Sequence, residues 1–128
     1  MVAKKRALPF DKRGGTVVCR RDMIESPAWL GLSPQAVKLL SLLHVHWRNN
    51  KPVDYGIREA MLKVGCSKIT ARKVFVELQE KGFIVLVDES LFSSRTQSKA
   101  RTWRLTWLPF NGLVPTNEWE KIKPTGAF

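Results

Sequence analysis

Hydrophobic residues recur at intervals of three and four in two long segments, a spacing that places them on one face of a helix. In the first segment, Ser33 has the residue type of a helix cap, and Pro34 suits the first helical position. The repeat consists of Ala36, Leu39, Leu40, Leu43 and Trp47. Further apolar residues on its other sides predict the central core helix, which ends at residues 49–52.

The second repeat predicts a helix over residues 68–81, with Ser67 as its cap and Gly82 in a left-handed conformation at its end. Its apolar stripe is Ala71, Val74, Phe75 and Leu78. A shorter helix is predicted over 57–64, ended by Gly65. A helical turn through residues 28–30 is predicted to follow the Ser26-Pro27 pair.

Alternating apolar and polar residues predict strands at 83–87 and 102–107, joined by a long polar hairpin loop over 88–101. A short strand at 16–19 and a last helix running from a Thr116 cap to Ile122 complete the elements. The predicted fold class is mainly α with a small antiparallel β-hairpin (α+β). The sequence also predicts an arm at 1–15, one domain at 16–107 and a C-terminal extension at 108–128. The five tryptophans lie mostly on apolar faces, which predicts core packing.

The element order (helix, short helix, glycine-containing turn, helix, strand, basic loop, strand) is that of a winged helix-turn-helix. Residues 57–87 resemble the DNA-binding half of GntR-type and related bacterial winged-helix regulators. The resemblance is carried by Glu59-Ala60, Gly65-Cys66-Ser67, Lys68, Thr70, Arg72 and Gly82-Phe83-Ile84. Met61 departs from the pattern, which usually has a small alanine there. Residues 108–122 are similar to tails of winged-helix proteins from plasmids and phage-like elements, which implies a transcriptional regulator or a replication or maintenance factor.

Positive charge is concentrated in three regions. The chain has 22 Lys and Arg against 11 Asp and Glu, a net charge of +11. Residues 1–21 carry a net +6, residues 58–81 a net +3 and residues 82–107 a net +2, whereas the remaining regions are neutral. These regions coincide with the arm, the predicted recognition helix at 68–81 and the wing. The distribution predicts double-stranded DNA as the partner.

The candidate DNA-reading surface is the face of the recognition helix opposite its apolar stripe, because a helix fits the major groove. Its residues are Lys68, Ile69, Arg72, Lys73, Val76 and Gln79. Arg72 is predicted to read guanine, whereas Ser67 and Thr70 are predicted to hold phosphates at the positive end of the helix. The alternative is a solvated face with pairs such as Lys73–Glu77.

Two flanking regions supply further candidate DNA contacts. The wing bases, predicted to contact phosphates or the minor groove, are Arg95, Lys99, Arg101 and Arg104. The arm bases are Lys4, Lys5, Arg6, Lys12 and Arg13. A solvated hairpin and a disordered arm without a role are the alternatives.

Composition disfavours several classes of protein. A chain of 14.6 kDa fits one domain, and we expect no effector-binding domain after the DNA-binding part. No run approaches the roughly 18 apolar residues that span a bilayer, so no membrane partner is predicted. Two cysteines are too few for a disulfide framework or a zinc site. We therefore predict no metal, no cofactor and a cytoplasmic, nucleoid-associated protein with reduced thiols.

Two other functions stay open. A nicking nuclease would use the triplet His44-Val45-His46 and Tyr55, but helical spacing puts the two imidazoles about 200° apart. A protein-interaction module would use the recognition-helix face without binding DNA. The oligomeric state is also open. Trp119 and Ile122 are candidates for a homodimer interface, although packing onto their own core is equally compatible with the pattern.

Overall fold

The structure is a computed structural model that describes residues 13–90 and 100–124. The helices are α1 (Arg21–Ile24), α2 (Pro27–Leu30), α3 (Pro34–Val45), α4 (Ile57–Ala60) with a π-helical turn (Met61–Gly65), α5 (Lys68–Glu80) and a 3₁₀ helix (Glu118–Lys121). The strands are β1 (Val53–Asp54), β2 (Ile84–Ser90) and β3 (Ala100–Leu105). This architecture confirms the α+β class. Within the described ranges, no helix is long and apolar enough to cross a membrane.

Three serines begin the helices as the sequence predicts. The hydroxyl groups of Ser26, Ser33 and Ser67 each accept a hydrogen bond, at 3.2 Å, from the backbone N–H three residues later. Each bond satisfies a donor that has no partner within its own helix. The helix at 57–64 is also confirmed, but its second half is π-helical, with the Cys66 N–H donating to the Met61 carbonyl at 3.1 Å.

The core forms where the apolar stripes of α3 and α5 meet the inner face of the sheet. The buried stripe residues are Ala36, Leu39, Leu40, Leu43, Ala71, Val74, Phe75 and Leu78. Phe75 stacks on Trp103, with ring centroids 5.1 Å apart and planes inclined by 13°. Trp103, Leu105 and Trp107 are buried as predicted, at most 4% exposed, but the predicted alternation is wrong at Thr106, which is 0% exposed and lies in the turn after β3. Trp29 and Trp47 are half-buried against the same core.

The sheet is antiparallel, with strand order β1–β3–β2. Ile84 pairs with Leu105 and Leu86 with Trp103, and the register shifts between Leu86 and Asp88. On the other side of β3, Val53 pairs with Trp103. The sequence did not predict β1, because two residues are too few to show an alternating pattern.

Several predicted boundaries are wrong. The predicted loop at 88–101 is too long, since residues 88–90 and 100–101 belong to strands; residues 91–99 lie outside the described part of the chain. The last predicted strand ends at Leu105, and Thr106 and Trp107 follow it as a turn. The central helix ends at Val45, and the Trp47 indole donates instead to the Pro109 carbonyl at 3.1 Å.

The predicted strand at 16–19 is also wrong. These residues belong to none of the described strands, and Val18 is 76% exposed. They lie beside the end of α3, where they line a cavity of about 280 Å³ with His44 and Trp47. A β-prone segment forms a strand only beside a partner, and this position lacks one among the described residues.

The C-terminal segment packs against the turn between α5 and β2. Trp119 is 3% exposed and stacks on Phe83, with centroids 6.4 Å apart. Trp119 therefore packs onto the core of its own chain, which was one of the two alternatives; the other was a homodimer interface. The predicted Thr116 cap is wrong: Asn117, with φ +49°, holds that position, and its Oδ1 accepts a hydrogen bond from the Trp119 indole at 3.2 Å.

His44 is a buried imidazole at the end of α3. It is 6% exposed, its Nδ1 lies 3.9 Å from Cys19 Sγ, and its ring meets that of Trp107 edge to face at 5.6 Å. A helix C-terminus favours a cation. Burial has the opposite effect and lowers the pKa of His44 below its usual value.

Gly82 should be far less replaceable than Gly65. Both have a left-handed backbone (φ +78° and +82°), but a Cβ at Gly82 would lie 2.7 Å from the carbonyl carbon of Glu118, whereas one at Gly65 would meet nothing within 4 Å. We expect Gly65→Ala to cost about 1–2 kcal/mol in unfolding free energy and Gly82→Ala clearly more. Urea denaturation measures both; equal losses would contradict the close approach.

Burial of His44 predicts a stability that falls with acidity. Because its folded-state pKa is lowered, the unfolded chain takes up the proton first as the pH falls through about 6.5. The unfolding free energy should therefore decrease below that pH, until the folded state is protonated as well. Urea denaturation at several pH values between 8 and 5 measures this decrease. The unfolding free energy of His44→Gln should change less with pH than that of the wild-type protein. A wild-type pH dependence of the unfolding free energy retained by His44→Gln would contradict the prediction.

Candidate nucleic-acid interface

The outward face of α5 carries most of the predicted DNA-reading residues. Those exposed are Ser67, Lys68, Ile69, Arg72, Lys73 and Val76, and Thr70 is half-buried. The face forms because the apolar stripe occupies the opposite side of the helix, so that burying the stripe turns these residues to solvent. α5 therefore displays three bases within its first two turns.

The two hydroxyl groups at the start of α5 are hydrogen-bonded to each other. Ser67 Oγ accepts from the Thr70 N–H and lies 3.1 Å from Thr70 Oγ1, to which it donates. Ser67 is thus occupied as a cap, whereas the Thr70 hydroxyl keeps its own proton for an external acceptor. The phosphate role of Ser67 and Thr70 stays a prediction.

Glu77 is turned away from the bases on its own helix. Its carboxylate accepts two hydrogen bonds from Ser33, from the backbone N–H at 2.6 Å and from Oγ at 2.8 Å. The alternative pairing with Lys73 is therefore not formed. Among the described residues, no acid forms an ion pair with Lys68, Arg72 or Lys73.

The turn before α5 is held by a contact that the sequence did not reveal. Lys38, on the exposed side of α3, donates from Nζ to the Val64 carbonyl at 3.2 Å. That carbonyl lies in the π-helical turn, and Gly65 follows it with φ +82°. The contact joins α3 to the turn and so helps to set the direction in which α5 begins.

Two of the four predicted wing bases lie within the described residues, and both are half-buried. Arg101 lies on β3, half-buried and with an interaction partner, and its carbonyl accepts from the Tyr55 N–H at 3.1 Å. The Arg104 guanidinium lies over the Phe110 ring, 5.6 Å from its centroid, and its Nε is buried. Arg95 and Lys99 fall outside the described residues.

The arm bases are largely outside the described residues as well. These are Lys4, Lys5, Arg6 and Lys12. Arg13 is described and exposed, on a stretch where Gly14 and Gly15 both have positive φ. A DNA role for the arm stays a prediction.

Two of the three groups that a nicking nuclease would use, His44 and Tyr55, are buried. His44 is buried against Trp107, whereas His46 is exposed, 5.7 Å from the Tyr55 ring. Tyr55 is 1% exposed, so its hydroxyl does not face a solvent-borne substrate. Among the residues described, no group of three or more His, Cys, Asp or Glu side chains is placed to hold a metal ion.

Comparison of the chain with protein-family models, with curated proteins and with solved structures finds no match. The resemblance of residues 57–87 to GntR-type regulators therefore stays a prediction.

The contact between Ser33 and Glu77 should contribute measurably to stability. Glu77→Ala leaves two partly buried Ser33 donors without their acceptor, and we expect a loss of about 1–3 kcal/mol in unfolding free energy. Glu77→Gln keeps one acceptor oxygen and should lose less. Urea denaturation should show that Glu80→Ala, at an exposed position on the same helix, is close to neutral; a loss as large as that of Glu77→Ala would contradict the assignment.

Proposed function

We propose that this protein binds double-stranded DNA with sequence preference and inserts α5 into the major groove. The observation that carries the proposal is the exposed face of α5, on which Lys68, Arg72 and Lys73 are unpaired among the described residues. An exposed, unneutralised set of bases at the start of a helix is a footprint expected for a groove-reading helix.

The dimensions of α5 suit this role. Its 13 residues give a length of about 20 Å, and a helix with side chains is about 10–12 Å across, close to the width of the major groove. The side chains near its N-terminus are those that reach base edges in helix-turn-helix proteins. Arg72, one turn into the helix, is the candidate for bidentate hydrogen bonding to guanine.

The surrounding architecture supports a winged-helix interpretation. A short strand, β1, precedes α4; the turn at Gly65 leads into α5; and the β2–β3 hairpin follows. In this interpretation the hairpin is the wing, and Arg95 and Lys99 lie between its strands in sequence. The protein would act as a transcriptional regulator, or as a replication or maintenance factor of a mobile element, on nucleoid DNA.

A protein-interaction role is the second candidate. It is favoured by the exposure of Ile69 (68%) and Val76 (48%) on the same face as the bases. A protein partner would bury these side chains without requiring a nucleic acid. The two functions differ in their response to salt, because releasing counterions from DNA makes log affinity fall linearly with log salt concentration.

The test is a selection of bound sequences from random duplex DNA, followed by affinity measurements at several salt concentrations. Arg72→Ala should cost about 1–3 kcal/mol of binding free energy on the selected sequence and relax the preference at one base position. Lys121→Ala, on the 3₁₀ helix, removes a charge elsewhere and should keep that preference. Equal loss on all sequences for Arg72→Ala would contradict its reading role, and binding insensitive to salt would contradict the proposed function.

A further inference from the structure

Two apolar side chains lie among the bases of α5. Ile69 and Val76 are exposed, and at 100° per residue Lys73 lies about 40° to one side of Ile69 and Val76 about 20° to the other. The three side chains therefore form a single narrow row along the outward face. Arg72 borders this row, about 60° from Ile69.

Packing within the chain does not account for Ile69. The core contacts of α5 come from its opposite stripe, in which Ala71, Val74, Phe75 and Leu78 are at most 4% exposed. Single exposed apolar side chains are common on protein surfaces, so exposure alone does not indicate a binding site. What distinguishes Ile69 is its position in the first turn of α5, between Lys68 and Arg72, where a groove-reading helix meets base edges.

We propose that Ile69 contacts the C5-methyl group of a thymine in the major groove, beside the base read by Arg72. This inference rests on the proposed function. The thymine methyl is the apolar group that unmodified bases display on the major-groove edge, and apolar side chains recognise it. Ile69 and Arg72 are separated by about 4.5 Å of helix rise, so their targets lie within about two base pairs of each other.

Charge favours DNA over a protein as the occupant of this row. Lys68, Arg72 and Lys73 surround Ile69, and Glu77, the nearest acid along the helix in this direction, is directed to Ser33. A duplex satisfies both requirements at once, since phosphates pair with the bases while a methyl group meets the isoleucine.

The test replaces thymines of the selected duplex, one at a time, by deoxyuridine, which removes the methyl and keeps the hydrogen-bonding groups. We expect affinity to fall about fourfold, the equivalent of about one buried CH₂ group, at one thymine near the position that Arg72→Ala relaxes. Ile69→Ala should lose a similar factor on the thymine duplex and should no longer respond to deoxyuridine. Leu30→Ala removes an equally exposed side chain (72%) from α2 and should leave the deoxyuridine response unchanged.

The outcomes separate this inference from the function on which it rests. If none of the single thymine replacements lowers the affinity, while salt-dependent binding and the base preference that depends on Arg72 persist, the thymine contact is wrong and the proposed function stands. A deoxyuridine response retained by Ile69→Ala would likewise overturn the assignment to Ile69. If the wild-type protein shows no salt-dependent binding to duplex DNA, both the thymine contact and the proposed function are wrong.

Discussion

The pair of hydrogen bonds from Ser33 to Glu77 joins the beginning of α3 to α5 and affects both the core and the surface. Ser33 also caps its own helix, so one residue sets the start of α3 and its position against α5. The same contact removes the Glu77 carboxylate from the outward face of α5. A partly buried contact between two helices thereby affects the charge of the candidate interface, because Lys73 is left without the acid four residues along its helix.

The turn at Gly82 and Phe83 is the second point on which the structure depends. Gly82 ends α5 in a left-handed conformation, and its missing Cβ lets the backbone of the 3₁₀ helix approach. Phe83 packs between Trp107 and Trp119, with centroids 6.1 and 6.4 Å away. Thr106 completes the turn by donating from Oγ1 to the Gly82 carbonyl at 2.6 Å. The C-terminal segment is thus anchored where α5 ends and β2 begins.

The features of the candidate site that depend on residues close in sequence could be predicted, whereas those that depend on distant residues could not. The outward face of α5 follows from a regular helix, so the exposure of Lys68 and Arg72 could be read from their spacing relative to the buried stripe. The half-burial of Arg104 could not, because it depends on Phe110, which reaches β3 only through the C-terminal segment. The contact of Lys38 with the Val64 carbonyl was missed for the same reason: the two residues are 26 positions apart.

By itself, the sequence determined the helices and their buried faces, since caps, glycine stops and hydrophobic periodicity act within a few residues of one another. It also determined where positive charge concentrates. Tertiary structure alone decided that residues 16–19 stay outside the sheet, that β1 joins it, and that Trp119 packs onto its own core. These outcomes depend on which distant segment offers a partner, because a strand needs hydrogen bonds from another strand and an apolar ring needs a surface to cover.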